Sequence, residues 1–231
     1  MADARPEIVL LPGLDGTGEL FARLERQLEH HVQVTTVRYP PDPEMSYRDY
    51  AMFALERMDG RRVVVLGESF SGPVSVMIAA HRPDLVRGLI LAATFLRNPH
   101  VGWLMRLVSG INPGFTPTYL RRAILMGRYA DNALDRQVYE IVATMPAGVR
   151  AKRLIEVSHV DVRSKFAQIQ CPILALHGNA DYVVFKRPMA RAIASKLNAT
   201  MTVLGGAHML LQTRTEAAGE RILSFMKSLP E

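Results

Sequence analysis

Residues 63–72 run through four aliphatic side chains, reach Gly67, present Glu68 and Ser69, and leave through Phe70, Ser71 and Gly72 into an apolar stretch. This order predicts a buried strand, a sharp turn and a helix. In such a turn the central residue projects from the end of the strand. Neighbouring backbone comes so close that the residues two before it and two or three after it must be small. Gly67, Ser71 and Gly72 meet that requirement, which makes Ser69 a candidate nucleophile.

The rest of the chain repeats the strand-to-helix pattern. Strands are expected over residues 8–11, 32–39, 86–93, 172–177 and 200–204. Helices are expected from Leu20 with apolar positions Phe21, Leu24 and Leu28, after a Ser46 cap as far as Met58, and over 73–81, 187–197 and 215–229. Near-continuous aliphatic strands joined by helical crossovers imply an α/β protein with a doubly wound, mostly parallel sheet covered on both faces. At 231 residues, one domain with an insertion is expected rather than two equal domains.

The insertion is expected at 97–165, within a core formed by 1–96 and 166–231. From about Asn98 to Lys165 no segment reads as a strand. Val138, Ile141, Val142 and Met145 share one helical face, and Pro113, Pro117 and Pro146 mark breaks. A helical segment following a strand's carboxyl end would cover the sheet edge where open α/β folds bind ligands, so it is expected to act as a cap or lid. The net charge of +6 lies wholly in this part: residues 97–170 hold 11 Lys or Arg against 5 Asp or Glu, leaving 17 of each elsewhere. The basic residues are interleaved with acids and apolar positions, which suits solvated helix faces, or attraction of an anionic substrate, better than a nucleic-acid surface.

No run approaches the roughly 18 apolar residues of a membrane helix. The first residues carry acids and a proline where a secretion signal would carry basic ones. Cys171 is the only cysteine, so no intramolecular disulfide is possible, and a reducing, cytoplasmic setting is expected.

A serine hydroxyl attacks a carbonyl only with a base to take its proton and an acid to orient that base. Asp181 follows the strand ending at His177, and His208 follows the strand ending at Leu204. Ser69, Asp181 and His208 each lie past the carboxyl end of an expected strand, so a parallel sheet would bring them to one rim. Asp161 is the rival acid, but it precedes a strand instead of following one. His177 reads as a hydrogen-bonded structural histidine, His81 as a helix end, and Glu68 as a packed turn carboxylate. His30, His31 and His159 lack partners at metal-ligand spacing, so no metal is expected.

With these pieces in place, the chain resembles the α/β-hydrolase superfamily, and in particular its small lidded carboxylesterases. The resemblance rests on Leu10-Leu11-Pro12-Gly13-Leu14-Asp15-Gly16-Thr17-Gly18, Gly67-Glu68-Ser69-Phe70-Ser71-Gly72, His177-Gly178-Asn179-Ala180-Asp181 and Gly206-Ala207-His208. It implies Ser69 as nucleophile, Asp181 as orienting acid and His208 as general base. It also implies an oxyanion hole built from the backbone N–H groups of Leu14 and Phe70. Two positions depart from the family pattern: Pro12-Gly13 stands where His-Gly is common, and Ser71 where glycine is commoner. The chain also starts at the strand before this loop, so the family's leading antiparallel hairpin is not expected.

Trp103, Leu104, Leu107, Phe115, Leu125 and Met209 are candidate walls of a substrate pocket. An apolar cap over the triad favours a small-molecule hydrophobic ester, with no cofactor. Thioesterase, acyltransferase and ligand-receptor readings share the same residues. A nucleotide-binding reductase would use Gly13, Gly16 and Gly18 with Arg38. However, those glycines are spaced G-x-x-G-x-G instead of G-x-G-x-x-G, and Ser69, Asp181 and His208 would have no role.

Overall fold

The computed structural model describes residues 5–99 and 117–230. Six strands form one sheet: β1 (Glu7–Leu11), β2 (Gln33–Thr36), β3 (Val63–Glu68), β4 (Val86–Ala92), β5 (Ile173–Gly178) and β6 (Ala199–Leu204). Their order is β2-β1-β3-β4-β5-β6, and every neighbouring pair is parallel. The first strand thus lies one place in from an edge, β2 fills that edge, and the chain returns through β3 and crosses to the opposite edge.

Alternation along the strands explains why both faces are covered. Val9, Leu11, Val63, Val65, Leu89, Leu91, Ile173 and Ala175 enter one buried cluster. Their neighbours Ile8, Leu10, Val64, Leu66, Ile90, Ala92, Leu174 and Leu176 enter another. Successive side chains of a strand point to opposite faces, so continuous aliphatic runs require helices on each side. The first face is covered by α2 (Tyr47–Met58) and α3 (Ser71–His81). The second is covered by α1 (Ala22–Leu28), which follows a 3₁₀ turn at Glu19–Phe21, and by helices near the carboxyl terminus. Ser46 caps α2 as expected: its side chain accepts from Asp49 N–H while the Asp49 carboxylate accepts from Ser46 N–H.

Four α-helices lie between β4 and β5 among the described residues: α4 (Thr118–Leu125), α5 (Asn132–Thr144), α6 (Ala147–His159) and α7 (Arg163–Gln168). Pro117 and Pro146 stand immediately before α4 and α6. After β5 come α8 (Lys186–Ala194), a short α9 (Leu210–Thr213) and α10 (Thr215–Lys227). No described helix is long and apolar enough to cross a membrane.

The second strand is shorter than the expected 32–39. Val37 N–H still donates to Leu10 O at 2.9 Å, but Tyr39 N–H donates to Gly16 O at 2.8 Å. The extended chain therefore leaves the ladder to hold the loop after β1. Residues 187–197 also read longer than the helix that forms, which ends at Ala194, where the Ser195 hydroxyl bonds back to Ala192 O at 2.7 Å.

Candidate active site

Ser69 stands between the end of β3 and the start of α3 with φ +48°, a left-handed conformation that costs a non-glycine residue about 1–2 kcal/mol. Several groups hold it there. Ser69 N–H donates to Ala92 O at 2.9 Å, Gly72 N–H donates to Ser69 O at 3.2 Å, and the buried Thr94 hydroxyl donates to the same Ser69 carbonyl. A Cβ on Gly67 would overlap the backbone carbonyl of Ser71, and one on Gly72 would overlap the Thr94 side chain. Close approach, rather than positive φ, accounts for both glycines.

Ser71 does more than stay small. Its hydroxyl donates to Pro12 O, and the Tyr39 hydroxyl lies 2.8 Å from it. The elbow is thereby tied to the loop after β1, a bond that glycine at position 71 could not make.

Ser69, His208 and Asp181 meet. Ser69 Oγ lies 2.9 Å from His208 Nε2, and His208 Nδ1 lies 2.9 Å from Asp181 Oδ2. The other carboxylate oxygen of Asp181 accepts the N–H groups of Val183 and Val184, each at 2.9 Å. Burial pushes the Asp181 carboxyl up, but the hydrogen bond and charge of His208, helped by Val184 N–H, outweigh it and leave the group below its usual value. An ionised Asp181 accepts from Nδ1–H, which leaves Nε2 free to accept the Ser69 proton.

Leu14 and Phe70 sit on the two sides of this serine in sequence, one in the loop after β1 and one directly after Ser69. Gly16 N–H donates to Gly13 O at 3.1 Å, closing a turn with Leu14 and Asp15 at its centre. Among the described residues neither Leu14 N–H nor Phe70 N–H has a hydrogen-bond acceptor. The Phe70 ring is buried, stacked on Tyr47 at 4.7 Å and edge-on to Tyr50 at 5.3 Å.

Beside the elbow lies a cavity of about 170 Å³ lined by Thr94, Phe95, Leu96, Val184, Phe185 and Met189, with Arg97 and Arg163 among the remaining wall residues. Leu125 and Met209 do not line it. They meet each other, Met209 N–H donating to Leu125 O at 2.7 Å, and Met209 is buried with Met126, Leu134 and Val138. Trp103, Leu104, Leu107 and Phe115 lie outside the described residues.

Asp161 forms a surface ion pair with Arg163 at 2.6 Å, and among the described residues its carboxylate bonds to no imidazole. His177 is fully buried and donates Nε2–H to Thr94 O at 3.2 Å; burial, above all, lowers its pKa. His81 ends α3. Among the described residues no group of three His, Cys, Asp or Glu side chains could hold a metal ion.

Glu68 is packed and hydrogen-bonded, with Gln212 Nε2–H donating to its Oε1 at 2.9 Å. Burial pushes its carboxyl from the usual 4.5 up to about 7; the Gln212 bond opposes this and the Asp15 carboxylate adds to it. An acid raised in the folded state contributes stability that is complete below pH 4.5 and is lost as pH rises through about 7. Glu68→Gln, which keeps an acceptor for Gln212, should therefore gain on the wild type by on the order of 3 kcal/mol between acidic and mildly alkaline solution. Urea unfolding of both proteins at the two ends of that range checks this, and parallel behaviour would rule out the assigned titration.

One feature of the site lay outside the sequence reading: Arg153 of α6 is buried and donates to the carbonyls of Leu14 and Asp15. A signal for it exists, because Val149, Arg153 and Val157 recur at intervals of four along one helical face, and all three are buried.

The profile of the alpha/beta hydrolase family matches residues 8–220. No curated protein matches the chain. Among solved structures, the enol-lactonase from Burkholderia xenovorans superposes with a TM-score of 0.86 at 17% identity, covering 98% of this chain and 93% of that one. An esterase from Exiguobacterium antarcticum gives 0.84 at 17% identity, with 97% and 93% covered. A thermophilic esterase from Thermogutta terrifontis gives 0.83 at 17%, with 97% and 90% covered. At these identities the likeness is one of fold.

Proposed function

The chain belongs to the alpha/beta hydrolase family, and from that premise we propose that it is a serine hydrolase cleaving carboxylic esters of hydrophobic substrates. The observation that carries this reading is the unbroken relay of two 2.9 Å contacts from Ser69 Oγ through the imidazole of His208 to Asp181.

In the proposed reaction Ser69 Oγ attacks the ester carbonyl carbon while its proton passes to His208 Nε2. The C=O π electrons move onto oxygen, and the oxyanion is received by the N–H groups of Leu14 and Phe70. The C–O bond to the alcohol then breaks as His208 returns the proton to the leaving oxygen, giving an acyl-enzyme. Water, deprotonated by the same imidazole, releases the acid and restores Ser69. Removing one such oxyanion donor elsewhere costs roughly 10²–10³ in rate, so the unpaired N–H groups carry a share comparable with the base.

The helices between β4 and β5 act as a cap over this centre, and the apolar cavity at Phe95, Leu96 and Phe185 supports a hydrophobic acyl or alcohol group. Thioester cleavage and acyl transfer would use the same residues. A panel of chromogenic esters and thioesters of graded acyl length, run on the wild type and Ser69→Ala together, tests the reading. Ester turnover that vanishes in the variant is the expected result. Inert wild type on every member would leave a ligand-binding role in its place, and a clear preference for thioesters would reassign the substrate class.

A further inference from the structure

A cation withdrawn from water is held by carbonyl dipoles and ring faces behind the oxyanion turn. Arg153 is 1% exposed. Its Nη1 donates to Leu14 O and Asp15 O, each at 2.8 Å; its Nε donates to the Tyr50 hydroxyl at 3.0 Å and its Nη2 to Pro40 O at 3.3 Å. The guanidinium lies 5.3 Å from the Tyr50 ring centre, 5.9 Å from that of Tyr39 and 6.0 Å from that of Phe70. Among the described residues no carboxylate pairs with it.

Burying an unpaired charge is costly, and a chain that needed only a packed helix could place an apolar residue between Val149 and Val157. What the arginine supplies is geometry. The turn Gly13–Gly16 contains three peptide groups. The first has its carbonyl held by Gly16 N–H; the carbonyls of the second and third converge on one nitrogen of Arg153. With all three carbonyls held, the N–H groups of Leu14 and Asp15 keep no acceptor, and that of Leu14 shares its peptide group with the carbonyl bonded by Gly16. Gly16 is part of the same arrangement, because its φ of +73° and the overlap that a Cβ would make with the guanidinium both require glycine. The cation also faces the ring of Phe70 from 6.0 Å, and the backbone N–H of Phe70 is the second donor.

We infer that Arg153 is a positioning residue of the esterase: from helix α6 it fixes the Leu14 turn against Phe70 so that both N–H groups converge on the developing oxyanion. This rests on the hydrolase reading above. The residue does not touch substrate. Its contribution appears where negative charge develops, because displacement of one donor by about 1 Å can cost on the order of 10²-fold.

The test uses the best ester from the panel and a trifluoromethyl ketone carrying the same acyl group. Ser69 Oγ adds to the ketone carbon, its proton goes to His208, and the resulting oxyanion occupies the hole. Arg153→Lys keeps the charge and loses the planar fork. The expected result is a kcat lower by about 10- to 100-fold, with KM little changed and ketone affinity weakened by the same factor as kcat/KM. Tyr50→Phe keeps the ring and removes only the Nε acceptor; a smaller loss in the same two quantities is expected. A folded Arg153→Lys with unchanged kcat and ketone affinity, even if its melting temperature falls, makes the arginine a tether and overturns the inference. Should Arg153→Lys fail to fold, Tyr50→Phe decides: unchanged kcat and ketone affinity overturn it equally. Inert wild type would instead remove the hydrolase reading itself, while an active wild type with unchanged variants removes the role of Arg153 alone.

Discussion

Ser69→Ala is expected to lower ester turnover by roughly four to six orders of magnitude while leaving the fold intact. The substitution removes one oxygen, and with it the atom that bonds carbon and the proton that His208 accepts across 2.9 Å. Stability should change little. Alanine and serine meet the same strain at φ +48°, and the bonds that hold the turn use the backbone of Ser69 together with Thr94, not the Ser69 hydroxyl. Any residual rate should reflect binding and the oxyanion donors alone. Single-turnover kinetics beside a thermal melt checks both halves, and a folded variant retaining more than a hundredth of wild-type kcat would remove Ser69 as the nucleophile.

The second large effect comes from exchanging one oxygen for an NH₂ group. In Asp181→Asn the side-chain oxygen facing Val183 and Val184 can keep both N–H bonds, which directs the new NH₂ at His208 Nδ1. That nitrogen must then accept, so the ring proton moves to Nε2 and points at Ser69. The base arrives with its acceptor site already filled. A loss of about 10⁴-fold in kcat is expected, with KM changed far less. Nitrogen-resolved NMR of the His208 ring provides the companion measurement: the proton on Nδ1 in the wild type should appear on Nε2 in the variant. An unchanged tautomer together with near-normal kcat would exclude the orienting role of Asp181.

The parts of this architecture that were legible in the sequence are those in which a local pattern and a global constraint coincide. Strands buried on both faces carry unbroken apolar runs, so β3 and β5 were readable from Val63–Leu66 and Ile173–Leu176 alone. Because the sheet is parallel, the residues after their carboxyl ends, with those after β6, share one rim, and this is why three side chains separated by as many as 139 positions could be grouped before any distance was known. Legibility failed where a partner far along the chain decides. The second strand stops early because Gly16 O captures Tyr39 N–H, which no property of residues 33–39 announces. Ser71 reads as a small residue, yet its hydroxyl finds Pro12 O. Arg153 follows the same logic, since its acceptors lie 138 and 139 residues away and an isolated arginine on a helix ordinarily signals solvent.

The seam between Leu125 and Met209 has a consequence for anyone seeking to alter substrate choice by building chimaeras with other hydrolases. The residue after His208 is buried among Met126, Leu134 and Val138 and bonded through its backbone to Leu125, so an exchanged helical segment that omits these positions would unseat the loop carrying the imidazole. A productive crossover must transplant both sides of that seam together, or graft only the far ends of the exchanged helices.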